Sequence, residues 1–370
     1  MRNQQFARSQ YIATFLIIAL VLSACAQAIP PVLTTTPSLP APVPAGMVTD
    51  PAADSIQVYF TAPTALHAKD YEGGPDEPLV AALDQARLSI DVAAYSLDLW
   101  SIRDALINAQ KRGVVVRMVM ESDDMDNQEV QQLQAAGIPI IGDGQPGLMH
   151  DKFIVMDHLD VWTGSMNYTS SGVYKDNNNL IHIRSSQIAE DYSHEFDQMF
   201  TYHLFGPKKI AGTPNPKVNV AGVPVEIYFS PKDKAVTRIL ELVNAAQTSI
   251  DFLAYSFTSA DIGNAIMQQA QAGVKVAGVM DDGQVKSTKV TEWDPFTQAG
   301  LDVRLDGNQI GLMHHKVIII DRQIVITGSY NFTAAAETTN DENVVIIFSP
   351  QLAAQYLQEF ERVYQQAQQP

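Results

Sequence analysis

One phrase occurs twice at a fixed interval, and the repeat leaves few folds open. The first copy is His150-Asp151-Lys152, the apolar run Phe153 to Met156, Asp157, and then Gly164-Ser165-Met166-Asn167-Tyr168-Thr169. The second is His314-His315-Lys316, Val317 to Ile320, Asp321, and then Gly328-Ser329-Tyr330-Asn331-Phe332-Thr333. From His150 to His314, and from Asn167 to Asn331, the step is the same 164 residues. Gly-Leu-Met introduces both copies, at Gly147 and Gly311. A chain built this way is a duplication of one folding unit.

Periodicity gives each copy a shape. His-x-Lys before an apolar run reads as the start of a buried strand. Alternation puts His150 and Lys152 on one face and Asp151 on the other, and likewise turns His315 away from His314. Asp157 has the opposite parity and opens the polar run to Asp160, so it falls in a hairpin turn. The return strand brings Ser165 and Asn167 back to the His/Lys end. An imidazole, an ammonium, a hydroxyl and an amide at one sheet edge suit a phosphate: Lys supplies charge, Ser and Asn supply donors, and His can attack or move protons.

The repeat extends well beyond the motif. Ser89 to Ser96 answers to Ser249 to Ser256, and each phrase lies between helical patterns. Apolar strands follow at Val114 to Met120 and Val274 to Met280; a closing helix keeps the register, with Glu195-Phe196 matching Glu359-Phe360. Strands alternating with helices predict an α/β sandwich with mixed sheets in each half, residues 55–204 and 223–370, joined by a Gly/Pro-marked connector at 205–222. Two such halves should pack about a pseudo-twofold axis, as a symmetric dimer would, with both histidines at one cleft in a single monomeric chain. No Cys/His/carboxylate cluster has metal-ligand spacing, and two lysines at the site would repel a cation, so neither metal nor cofactor is expected. The net charge of −17 argues against non-specific binding along a nucleic-acid backbone.

The N-terminus reads as an address. Arg2 and Arg8 precede an apolar run from Tyr11 to Leu22, which is short for a membrane span. It ends Leu22-Ser23-Ala24-Cys25, which resembles the lipobox of bacterial lipoproteins. That resemblance implies cleavage before Cys25, lipid on that residue, and an extracytoplasmic protein anchored to a membrane of the cell envelope. Residues 26–54, rich in Pro, Thr and Ala, then read as a tether.

His-x-Lys, four residues, Asp, six residues, Gly-Ser, with Asn and Thr close behind, resembles the phospholipase D superfamily, and the resemblance covers nearly everything from Ile56 onward. The second half is similar to the compact nuclease and cardiolipin-hydrolase branch in Ala254-Tyr255-Ser256-Phe257-Thr258 and Asn340-Asp341-Glu342-Asn343. The resemblance implies duplicated phospholipase D-like domains and metal-free phosphodiester cleavage through a phosphohistidine. Carried over by position, His150 and His314 between them supply the nucleophile and the general acid. Lys152, Lys316, Ser165, Ser329, Asn167 and Asn331 hold the non-bridging oxygens. Asp157 and Asp321 complete the catalytic motif with a mainly structural part. Glu342 aligns with Asn178, and the nuclease-like branch has a glutamate there supporting a catalytic histidine. A carboxylate favours the charged imidazole; if Glu342 pairs within its own half, His314 is the acid and His150 the nucleophile. The leading expectation is a phospholipase D releasing phospholipid head groups. A nuclease is the alternative, with phosphatidyl transfer or a non-catalytic phosphate-binding protein behind it.

Overall fold

The structure is a computed structural model that describes residues 55–367. The segment expected to be a signal, Cys25 and the expected tether to residue 54 lie outside the described residues. Among the described residues no helix is long and apolar enough to cross a membrane.

The first half contributes strands β1 (Ile56–Phe60), β2 (Ser89–Ala94), β3 (Val115–Met120), β4 (Ile140–Gly142), β5 (Lys152–Met156), β6 (Asp160–Gly164) and β7 (Asn179–Arg184). Its helices are α1 (Asp76–Gln85), α2 (Trp100–Arg112), α3 (Gln128–Ala135), α4 (Ser170–Tyr174) and α5 (Ser186–Phe200). The second half begins with β8 (Lys217–Val220), inside the segment expected to be a connector, so that segment supplies an edge strand. There follow β9 (Val223–Ser230), β10 (Ser249–Ala254), β11 (Lys275–Met280), β12 (Asp302–Leu305), β13 (Lys316–Ile320), β14 (Ile324–Gly328) and β15 (Glu342–Phe348). The helices are α6 (Ala235–Asn244), α7 (Ala260–Gln271), α8 (Asp282–Ser287), α9 (Trp293–Gln298), α10 (Ala334–Thr338) and α11 (Pro350–Gln366).

The sheet orders are β1-β7-β6-β5-β2-β3-β4 and β12-β11-β10-β13-β14-β15-β9-β8. Both are mixed: β2 pairs parallel with β3 and antiparallel with β5, and β10 does the same with β11 and β13. Each sheet is apolar on both faces, which explains its near-continuous Val/Ile runs. One face of each packs on its own outer helices, Leu79 and Ile102 in the first half and Ile239 and Ile262 in the second. The other faces share a single core: Phe153, Val155 and Ile181 with Val317, Ile319 and Val345, wedged by Tyr192 and Phe196 of α5 and Tyr356 and Phe360 of α11. At roughly 1.5–3 kcal/mol per fully buried large apolar side chain, that core binds the halves into one body.

Local chemistry explains the motif letters that do not face the site. Asp157 and Asp321 sit at φ 52°, each followed by a second positive-φ residue, in the tight turns after β5 and β13. Their carboxylates accept backbone N–H bonds, from Arg87, Leu88 and Ser89 and from Gln247, Thr248 and Ser249. They staple the far end of each hairpin and take no place beside the histidines, so their grouping with the catalytic residues is corrected. Gly164 and Gly328 are required by close approach and positive φ; a Cβ there would meet the carbonyl oxygens of Asn179 and Asn343 at 2.4 and 2.2 Å. Thr169 and Thr333 are N-caps, accepting from Gly172 N at 2.9 Å and Ala336 N at 3.2 Å.

Candidate active site

Each histidine begins its strand, and each is held from the opposite half. His150 N donates to Asp341 O at 3.0 Å while Asp341 N donates to Leu148 O at 2.8 Å; His314 N and Asn177 O, with Asn177 N and Leu312 O, repeat the pattern at 3.0 and 2.8 Å. Glu121 and Asp281 each accept the preceding methionine N–H, of Met149 and Met313, at 3.0 Å. The two His-x-Lys strand starts therefore meet at one edge of the molecule.

The imidazoles are also held across the interface. His150 Nδ1 lies 2.7 Å from Glu342 Oε2, and His314 Nδ1 lies 3.0 Å from Asn178 Oδ1. Asn178 donates its Nδ2 to Gly172 O at 2.8 Å, which fixes its Oδ1 as the acceptor. Both rings therefore turn Nδ1–H to their partners, which makes Nε2 the nitrogen available for chemistry among the described residues. The condition under which His314 was expected to be the acid, Glu342 pairing within its own half, is not met: β15 and β5 lie in different sheets, and the inter-half packing carries Glu342 to His150.

Lys152 and Lys316 are 1% exposed, and their Nζ atoms donate to His150 O at 2.7 Å and His314 O at 2.8 Å. Neither forms an ion pair among the described residues. Each ammonium lies over a tyrosine ring, Tyr95 at 5.0 Å and Tyr255 at 4.8 Å from the centroid. The same rings meet His150 and His314 edge-on, at 5.0 and 4.6 Å between centroids. Burial pushes Lys152 down to about 8. Lys316 falls well below its ordinary value through burial and then through Lys152. Both imidazoles fall well below their ordinary value through burial and the two lysines, and His314 also feels His150. Burial raises Glu342 to about 7 against the opposing pull of Lys152. An anion entering between the lysines would reverse each of these penalties on positive charge.

The remaining expected phosphate ligands divide. Asn167 and Asn331 have buried Oδ1 atoms without a partner, and neither amide is hydrogen-bonded among the described residues, so both remain available to a substrate oxygen. Ser165 and Ser329 are committed elsewhere. Ser165 Oγ donates to Asn178 Oδ1 at 2.8 Å, and Ser329 Oγ donates to Glu342 Oε2 at 2.7 Å, while each accepts a backbone N–H from Asn179 or Asn343. The structure makes them supports for the histidine partners rather than free donors. Residue spacing placed them at the right edge but could not say where their protons go.

Tyr95, Tyr255 and Glu121 were not picked out for this site from the sequence, whereas Asn178 was noted only as the amide aligned with Glu342, and Asp281, expected in a solvated loop on the catalytic rim, is buried. The repeated Ala-Tyr-Ser phrase at 94–96 and 254–256 carried the signal for the tyrosines. His315, as alternation requires, turns into the interface, with Nε2 2.9 Å from Glu359 and Nδ1 3.2 Å from Asn179 Nδ2.

A family profile described as "Cardiolipin synthase, PLD-like domain" matches residues 79–200 and again 239–364. The chain belongs to the phospholipase D superfamily. It is similar to a phospholipase D of Rickettsia felis, 40% identical over 36% of this chain and 66% of that protein. It also resembles the mouse mitochondrial cardiolipin hydrolase, 31% identical over 44% of this chain and 75% of that protein. The cardiolipin hydrolase of Chlamydomonas reinhardtii is 32% identical, and the chain spans 60% of its length. Several of these superfamily members are thus matched over less than two thirds of their length. Among solved structures, phosphatidylserine synthase of Haemophilus influenzae aligns over 86% of this chain and 88% of its own with a TM-score of 0.65 at 14% identity, which shows a shared two-domain fold.

Proposed function

We propose that this superfamily member is a phosphodiesterase that works through a phosphohistidine, with phospholipid head groups as its substrate. One observation carries the reading: two buried lysines that form no ion pair among the described residues stand beside two imidazoles whose Nδ1 atoms face Glu342 and Asn178, so that Nε2 is the nitrogen turned to chemistry. A phosphodiester monoanion supplies the missing charge, and Asn167 and Asn331 supply amide donors to its oxygens.

His150 is the better nucleophile. Its Nε2 lone pair attacks phosphorus, the bond to the leaving alcohol breaks, and the released electron pair takes a proton from His314 Nε2–H. The intermediate ring carries positive charge, and Glu342, at 2.7 Å from Nδ1, lies where that charge forms. Water then attacks phosphorus, His314 recovers the proton, and the phosphorus–nitrogen bond breaks. A carboxylate taken simply as a mark of the acid would reverse the order. Yet an acid must release its proton, and His314, held only by an amide, does so more readily.

The names of relatives, phospholipase D and cardiolipin hydrolase, support a lipid substrate, as does the net charge of −17. Lipidation at Cys25 would hold the enzyme at a membrane outside the cytoplasm. The profile's description favours one variation, in which an alcohol replaces water in the second step and the product is a new phosphodiester. The test offers the protein phosphatidylcholine vesicles and, separately, single-stranded DNA, each with EDTA. Release of choline with phosphatidic acid supports the proposal; DNA cleavage without lipid cleavage overturns the substrate, and inactivity caused by EDTA overturns the mechanism.

A further inference from the structure

We infer that the loops around the site form a lipid-contacting rim, which docks the catalytic edge on a zwitterionic bilayer surface. The inference rests on the lipid reading above. Six large apolar side chains are exposed on segments leaving that edge, five on loops and Trp100 at the start of α2, three from each half. Leu66 follows β1, whose Phe60 pairs with Asn179 beside Asn178. Trp100 follows β2, where Asp98 and Leu99 bond to Tyr168 O next to Asn167. Leu148 precedes Met149-His150. In the second half Val290 lies between α8 and α9 after β11, and Ile310 and Leu312 lie between β12 and His314. Leu66 is 75% exposed, Val290 71%, and Trp100 and Ile310 both 53%.

Single exposed apolar residues are ordinary, but their arrangement here is not. They lie on segments of both halves that leave the strand ends carrying the His/Lys pairs; of the other large apolar residues exposed among the described residues, Tyr71 shares the segment of Leu66, Tyr202 and Ile210 follow α5, and Leu88 and Val115 lie at the opposite strand ends. A protein partner would need a continuous complementary face. The boundary between head groups and acyl chains instead accepts scattered side chains, tryptophan above all. Charge narrows the surface further. Among the described residues, exposed Asp98, Asp123 and Asp126 on the same edge stand against Lys175, Lys286 and Lys289, and Lys286 is paired with Asp282, so positive charge does not predominate there as an anionic surface would require.

Trp100 provides the readout in the full chain, because Trp162 is buried and Trp293 half-buried. Phosphatidylcholine vesicles brominated near the head group should quench its fluorescence, and the W100F variant should lose that quenching. A Leu66→Ser/Trp100→Ser/Val290→Ser variant should cleave vesicles about tenfold more slowly, the equivalent of about 1.4 kcal/mol of surface binding. It should keep its rate on soluble bis(p-nitrophenyl) phosphate. Quenching without lipid cleavage would keep the rim and remove the phospholipase reading. Lipid cleavage without quenching, unchanged in the triple variant, would remove the rim and keep the reading. If vesicles are neither bound nor cut, both fall.

Discussion

The two halves share strands, lysines, tyrosines and N-caps, yet differ in charge beneath their histidines. The first half offers Asn177-Asn178 to His314; the second offers Asp341-Glu342 to His150. The extra acid is compensated from outside the repeat. Lys209, in the segment between the halves, is buried and pairs with Glu195 and with Asp341 at 2.9 Å. Against burial, which would lower it, those carboxylates raise the Lys209 ammonium. The equivalent of Glu195, Glu359, is served instead by His315 and Arg362. Duplication thus supplies a symmetric pair of His-x-Lys strand starts, and the residues beneath the histidines break the symmetry, which under the proposed mechanism lets the two histidines do different work.

Removing the histidines separately tests that division most severely. His150→Ala should abolish cleavage of every substrate, a loss on the order of 10⁴-fold or more. His314→Ala should lose about 10²–10⁴-fold on substrates with alcohol leaving groups. It should retain far more on bis(p-nitrophenyl) phosphate, whose leaving group departs without a proton. Mass spectrometry of the quenched reaction should find the phosphoryl group on His150. Finding it on His314 would invert the roles of the halves.

Moving the carboxylate comes next. Glu342→Gln should slow turnover by about 10²–10³-fold, as loss of electrostatic support to a forming charge does. The paired exchange Glu342→Asn with Asn178→Glu should shift the trapped phosphoryl group toward His314 if the carboxylate alone sets the order. Glu342 also shapes the pH response. Its folded value of about 7 exceeds the ordinary 4.5, so the folded state keeps a proton that the unfolded chain loses. Its contribution to stability is therefore present below about pH 4.5 and lost as pH rises through about 7. Melting curves of Glu342→Gln should lack that decline.

Lys209→Met should cost about 3 kcal/mol of stability by leaving Asp341 and Glu195 buried without a cation, measured by denaturant unfolding. A neutral result would mean that the asymmetry needs no compensation. The smallest effect concerns what the halves share. Inorganic phosphate at about ten times its Kd should stabilise the protein by about 1.4 kcal/mol at pH 7. That gain should fade above about pH 8, where Lys152 loses its proton. Without phosphate the sign reverses: between about 8 and 10.5 the unfolded chain holds the proton that folded Lys152 has lost, so its contribution to stability rises with pH.

The duplicated His-x-Lys phrases, their alternation and their fixed spacing were enough to place His150, Lys152, His314 and Lys316 at strand starts, Asp157 and Asp321 in turns, and His315 facing away. These are local consequences of backbone geometry, in which a side chain's direction follows from its parity. The mixed α/β halves were legible for the same reason. Which half holds each histidine was settled only by packing, because Glu342 reaches His150 through an interface between residues 192 positions apart. The occupation of Ser165 and Ser329, the tyrosine walls and the Lys209 pairing are likewise tertiary. A sequence shows which groups a chain carries along each strand, but the partners of buried polar atoms are chosen where separate strands meet, out of water, and every such atom must find one nearby.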